Sequence, residues 1–135
     1  MKIQPYLTFD GRCEEAIEFY RRAVGAETTV LLRFKDQPEA AQGMPPALHD
    51  KIMHCSLRIG QTEVMATDGH CRGTPQFAGI SLALSVPDAS AALRVFAALS
   101  DGGRVVQALT KTFFSPSFGV LADRFGVEWM IVAAP

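Results

Sequence analysis

The sequence predicts an α+β fold: two βαβββ modules in one domain, 1–135, their mixed sheets paired into a cup with the helices outside. Three observations carry this expectation. The order strand, helix, three strands can be read twice along the 135 residues, over about 1–70 and again over 78–135. Each half holds one segment with helical periodicity. The strands alternate apolar and polar side chains, as sheets with one packed face do. A repeat this long sets the architecture, so it precedes any argument about a site.

In the first half, residues 3–9 read as a strand that Asp10-Gly11 ends. Ala16, Ile17, Phe19, Tyr20, Ala23 and Val24 recur at helical spacing over 14–24, and Gly25 supplies the stop. Residues 28–34 form a second strand. A Pro- and Gly-rich loop follows over 36–50. Residues 53–59 alternate, then turn at Gly60-Gln61 into 63–67, the pattern of a hairpin. After a second loop, 68–79, the order restarts. Residues 80–86 are a strand and Pro87-Asp88 a turn. The helix over 89–99 presents Ala92, Leu93, Val95, Phe96 and Leu99, and Asp101-Gly102-Gly103 breaks it. Strands over 104–109, 118–122 and 127–133 complete the half. Local echoes support the repeat: Ala16-Ile17-Glu18-Phe19-Tyr20 against Ala92-Leu93-Arg94-Val95-Phe96, and Arg58-Ile59-Gly60 with Glu63-Val64-Met65 against Arg124-Phe125-Gly126 with Glu128-Trp129-Met130.

Composition bounds the function. Net charge is −1 with no basic block, so the electrostatic footprint of nucleic-acid binding is missing. No apolar run approaches the roughly 20 residues that span a bilayer. The first residues, Met1-Lys2-Ile3-Gln4-Pro5, lack a signal peptide's apolar segment, so a cytoplasmic location is expected. Cys13, Cys55 and Cys71 are widely spaced and odd in number, which suggests three reduced thiols and neither a disulfide framework nor a zinc knuckle.

The alternation also sorts side chains between faces. Met53, Cys55, Leu57 and Ile59 share one face of their strand, while His54, Ser56 and Arg58 share the other. Leu82, Leu84 and Val86 oppose Ser81, Ala83 and Ser85. Val127, Trp129 and Ile131 oppose Glu128, Met130 and Val132. A polar strip in strand after strand suggests a ligand pocket on the face away from the helices; a solvated sheet face is the alternative.

The stretches Pro5-Tyr6-Leu7-Thr8-Phe9-Asp10-Gly11 with Glu14-Glu15-Ala16, Met53-His54-Cys55-Ser56-Leu57-Arg58-Ile59-Gly60, and Phe118-Gly119-Val120-Leu121-Ala122-Asp123-Arg124-Phe125-Gly126-Val127-Glu128-Trp129-Met130 resemble the vicinal oxygen chelate (glyoxalase/bleomycin-resistance) superfamily. The similarity is greatest to its PhnB-like branch, which often carries a 3-demethylubiquinone methyltransferase name. No Gly-rich turn after a strand, the feature that cradles a nucleotide cofactor, accompanies that name here. Metal-using members hold one divalent ion with a His or Gln on each module's first strand and a Glu on each module's last strand. By resemblance those positions fall on Pro5, Met65, Ser81 and Met130, none a competent ligand for Zn²⁺, Ni²⁺ or Fe²⁺. Gln4 adjoins Pro5, but a one-residue slip reverses its face. Glu63 and Glu128, each two residues before the expected position, leave a shifted metal site open, or else face solvent near the turns.

Other groupings are weaker. His49, Asp50 and His54, or Asp68, His70 and Cys71, have the residue types of a transition-metal site without its spacing. His54 is the candidate catalytic residue, as a general base, or is simply a hydrogen-bonded strand histidine. The aromatic segment 112–118, with Phe114, reads as a lid over a ligand or as a dimer contact. Cys71 lies among His70 and Arg72, which could lower its pKa. The expectation is a protein that binds a small molecule in its cup, with neither metal nor other cofactor, through His54, Ser56, Arg58, Ser81, Ser85, Phe114 and Glu128. A lyase- or isomerase-type enzyme is the alternative, and a dimeric partner-binding module without ligand the third reading. A homodimer is expected, with no nucleic-acid or membrane partner.

Overall fold

The computed structural model describes residues 1–71 and 73–135, and within it the chain divides into two compact units, Met1–Pro75 and Gln76–Pro135. The first holds β1 (Tyr6–Thr8), α1 (Cys13–Val24), β2 (Glu27–Arg33), the one-turn α2 (Pro38–Ala41), β3 (Ile52–Ile59) and β4 (Thr62–Thr67). The second holds β5 (Ser81–Val86), α3 (Ala89–Ser100), β6 (Arg104–Thr110), β7 (Phe118–Ala122) and β8 (Glu128–Ala133). Each unit is one four-stranded mixed sheet, ordered β1-β4-β3-β2 or β5-β8-β7-β6. The first and last strands of each unit pair in parallel and the other neighbours antiparallel. The expected pair of βαβββ modules is what the chain forms.

In the first module α1 buries Cys13, Ala16, Phe19 and Tyr20, and Leu7, Cys55, Leu57, Val64 and Ala66 are buried on the sheet. Gly25 ends the helix at φ +68, where its N–H reaches the Arg21 carbonyl, a left-handed cap that glycine adopts without a Cβ penalty. The other end of α1 has no local cap, since the N-cap residue is Arg12 and its side chain caps nothing. Asp68 does this from 55 residues away. Its Oδ1 accepts from the Gly11 and Cys13 amides at 2.8 Å each, and its Oδ2 from the Ile52 amide at 2.7 Å. The carboxylate is fully buried, and these three N–H donors offset its desolvation.

In the second module the cap is local, Asp88 accepting from the Ala91 amide at 2.8 Å. Phe96 lies over Gly119, where a Cβ would stand 2.7 Å from the ring's Cε2, so the close approach of helix to sheet requires glycine. Trp129 is buried and donates its indole N–H to Asp123 Oδ2 at 2.9 Å. Asp123 Oδ1 accepts from Phe125 and Val127, which closes the β7–β8 turn.

Three expectations are corrected. The first strand, expected over 3–9, pairs only over Tyr6–Thr8. The loop 36–50 is not bare: α2 lies within it, and short 3₁₀ turns occur at Phe34–Asp36 and Pro46–Leu48. Pro38 and Pro46 stand at the first positions of their turns, where a missing N–H costs nothing. The echo of Arg58 in Arg124 is not structural. Arg58 lies in β3 opposite Glu63, whereas Ala122 is opposite Glu128, and Arg124 sits in the β7–β8 turn bonded to Asp101. Among the described residues no helix is long and apolar enough to cross a membrane.

Candidate functional site

With one face of each sheet under its helix, the chemistry-bearing side chains lie on the other. In the first module the register aligns Tyr6, Met65, Ser56 and Val30 across β1, β4, β3 and β2. His54 stands opposite Leu32 one step along the same face, and Arg58 opposite Glu63 and Glu27. Tyr6 Oη and His54 Nδ1 are 2.8 Å apart, their rings tilted with centroids 5.5 Å apart. The phenol donates when Nδ1 bears no proton and accepts when it does. Burial above all holds the Tyr6 hydroxyl above its ordinary pKa. The Tyr6 hydroxyl is thus protonated at neutral pH.

Ser56 is buried, and Arg58 is engaged, its Nη2 2.5 Å from Glu27 Oε2. Glu63 gathers donors: Gln4 Nε2 at 3.3 Å, Thr29 Oγ1 at 3.3 Å and Lys2 Nζ at 3.8 Å. Thr29 reaches Glu63 because β2 is irregular between Thr28 and Val30.

In the second module the corresponding rows are Ser81, Glu128, Ala122 and Arg104, then Ala83, Met130, Val120 and Gln107, then Ser85, Val132, Phe118 and Thr110. Ser81 Oγ donates to Glu128 Oε2 at 2.5 Å. Ser85 is exposed. Phe114 packs edge-on against Phe118 at 5.2 Å and against Phe113 at 5.1 Å.

The register also re-places the expected metal positions. Met65 is opposite Tyr6, Met130 opposite Ala83 and Ser81 opposite Glu128. The first-module counterpart of Ser81 is therefore Gln4, which touches Glu63, and not Pro5. Within either module the donor set stops at one carboxylate and one neutral amide or hydroxyl, and Glu63 is already satisfied by N–H and O–H donors. Among the described residues no three His, Cys, Asp or Glu side chains converge. Neither module alone fits a transition ion. The histidine and aspartate groupings are dispersed too: His49 bonds the Met44 carbonyl, Asp50 pairs with Lys35, and Asp68 serves three amides.

Both long helices have carboxylates at their N-termini, Asp68 on α1 and Asp88 on α3. Cys71 does not show the lowered pKa that basic neighbours could have given it. Burial first, then the carboxylates of Asp68 and Asp10, push its thiol up; Arg72 lies outside the described residues. All three cysteines are free thiols. Cys13 Sγ lies 3.8 Å from Cys55 Sγ, and the hydrogen bond between them together with burial raises Cys13 far above the usual thiol range. A concavity of about 600 Å³, lined by Lys35, Glu39, Met44 and His49, contains none of the expected ligand residues.

Tyr6 and Thr29 were not singled out by sequence, and Gln4 entered only as the neighbour of Pro5. The alternation over 3–9 already put Gln4 and Tyr6 on the face opposite Leu7, which was the available signal for two of them.

Residues 1–132 match the family model described as 3-demethylubiquinone-9 3-methyltransferase. The protein YjdN of Escherichia coli (strain K12) is 33% identical over 97% of this chain and 94% of its own. A solved protein from Pseudomonas aeruginosa is 38% identical with TM-score 0.86, covering 99% of this chain and 98% of that one. A Bacillus cereus structure described as a putative 3-demethylubiquinone-9 3-methyltransferase, PhnB protein, is 26% identical with TM-score 0.80 over 99% and 100%. A glyoxalase-related enzyme from Fulvimarina pelagi, 16% identical with TM-score 0.62 over 100% and 89%, shares the fold.

Proposed function

The chain belongs to the PhnB-like branch of the glyoxalase/bleomycin-resistance fold, the family whose model bears the 3-demethylubiquinone-9 3-methyltransferase description, and from that premise we propose that it binds a small organic molecule on the helix-free faces of its sheets, without a metal. The observation that carries this reading is the Tyr6–His54 pair. Two rings, joined by a 2.8 Å hydrogen bond, stand on a half-open face beside Met65 and Ser56. Apolar and aromatic surface with a few fixed polar groups is what lines small-ligand sites. Ser56 and Arg58 lie along the same strand, and an anion would have to displace Glu27 to use the Arg58 fork. In the second module Ser81, Ser85, Glu128 and Phe114 are the proposed ligand residues. The protein is proposed to act as a cytoplasmic homodimer.

The test is a thermal-shift screen of diverse organic compounds on wild type, His54→Ala and Tyr6→Phe. At least one compound is expected to raise the wild-type midpoint and to do so clearly less in His54→Ala. If no compound distinguishes the wild type from either variant, this face is not a binding site.

A second reading, a lyase- or isomerase-type enzyme, is favoured by the same bond, since a phenol linked to an imidazole can act as an acid–base pair. It predicts that wild type, and not His54→Gln, exchanges solvent deuterium into a bound compound.

A further inference from the structure

We propose that the open face of the second module takes an amphipathic organic cation, an ammonium on Glu128 with an apolar or aromatic body laid along Met130, Val132 and Phe118 toward Phe114. This rests on the small-molecule reading above and names its ligand class. The register makes the face a graded strip. At one end, Glu128 stands on the inner strand β8 beside Ser81. The middle row is Ala83, Met130 and Val120, and the far row brings Val132 beside Phe118. Phe114 extends that end, 46% exposed and edge-on to Phe118. Phe113 and Phe114 also border a concavity of about 240 Å³ lined by Lys111, Pro116 and Pro135. From Glu128 to Val132 the strip runs roughly 13 Å, four strand steps, the length of a short chain ending in a ring.

Charge selects the ligand's sign. Glu128 is half-buried, and its hydrogen bond among the described residues comes from the Ser81 hydroxyl, a neutral donor. An ammonium arriving there meets a carboxylate that water screens incompletely. Arg104 shares the row at the far edge, beyond Ala122 and about 9.6 Å or two strand spacings away. It is exposed and makes no ion pair with Glu128 among the described residues. An anion bound at Arg104 would sit in high dielectric, where such pairs contribute little.

The experiment uses three probes of one shape on the full chain: 4-phenylbutylamine, 4-phenylbutanol and 4-phenylbutyrate, with affinities measured by calorimetry. Wild type is expected to prefer the amine to the alcohol by about tenfold, the scale of a charge-assisted hydrogen bond, and to bind the carboxylate weakest. Glu128→Gln, near-isosteric on a half-open face, should bring amine and alcohol together while leaving the alcohol unchanged. Phe114→Ala should weaken all three alike. Should Glu128→Gln fail to fold, narrowing of the wild-type amine preference with added salt decides the same point. Alcohol binding without an amine preference, or a preference that survives Glu128→Gln, overturns the cation assignment and leaves the small-molecule reading standing. Binding of none of the three overturns this site altogether, and the Tyr6–His54 screen then stands as the separate test of the first module.

Discussion

At the scale of single residues, the buried carboxylate of Asp68 joins the entry of α1 to the start of β3 through three amides. Asp68→Asn keeps the shape but turns one acceptor into a donor pointed at backbone N–H groups. Chemical denaturation should show a loss of about 2–3 kcal/mol, the scale of hydrogen bonds to a charged group plus an unsatisfied donor. A loss below about 0.5 kcal/mol would mean that water or a rearranged loop replaces the carboxylate. The thiols make a second residue-scale prediction. Cys13 and Cys55 are buried and Cys71 is held protonated by burial and two carboxylates. A thiol reagent at neutral pH should therefore modify Cys71 slowly and the other two only on unfolding. Rapid labelling of Cys13 would contradict their placement.

At the scale of elements, the helix–sheet contact of the second module turns on Gly119. A methyl group there meets Phe96 at 2.7 Å, Leu109 at 3.0 Å and the Gln107 carbonyl at 3.1 Å. Gly119→Ala should cost about 1–3 kcal/mol, as overpacking does, and Phe96→Leu in the same background should recover part of it. Full additivity of the two changes would show that the ring is not what the methyl meets. In the first module, α1 is tied to β2 by Glu14 and Arg33, 2.5 Å apart. The hydrogen bond from Arg33 holds the Glu14 carboxyl below its ordinary pKa. A carboxyl lowered on folding contributes stability above its unfolded value, near 4.3, and loses it as pH falls through the folded one. Glu14 is 68% exposed, so Glu14→Gln should cost less than about 1 kcal/mol at pH 7. The difference from wild type should fade in acid, as a pH series of melts would show.

At the scale of the whole molecule, each module leaves an edge strand with exposed apolar residues, Val30 and Leu31 on β2, Val105 and Val106 on β6. Strands of this kind invite pairing or cover. A two-fold homodimer is expected to use such a surface, burying well above about 1,000 Å². Light scattering at micromolar concentration should give twice the chain mass, and a monomer would refute it.

Periodicity belongs to the chain itself. The spacing of apolar residues in 14–24 and 89–99, and the alternation in 53–59 and 127–133, determined two βαβββ modules and which side chains share the helix-free faces. Buried Trp129, Phe19 and Phe96 lie on the helix side, as that alternation requires. The local cap of Asp88 and the turn at Gly60 belong to the same local order. What pairs across strands does not. Register decided that Gln4, and not Pro5, is the counterpart of Ser81, that Tyr6 meets His54, and that Arg58 is spent on Glu27. Asp68 could not be read as the cap of α1, because nothing near residue 13 announces a partner 55 residues on. Local sequence fixes dihedral preference and face, since both depend on near neighbours, whereas the partners of a polar group are set by which strands the packed core brings side by side.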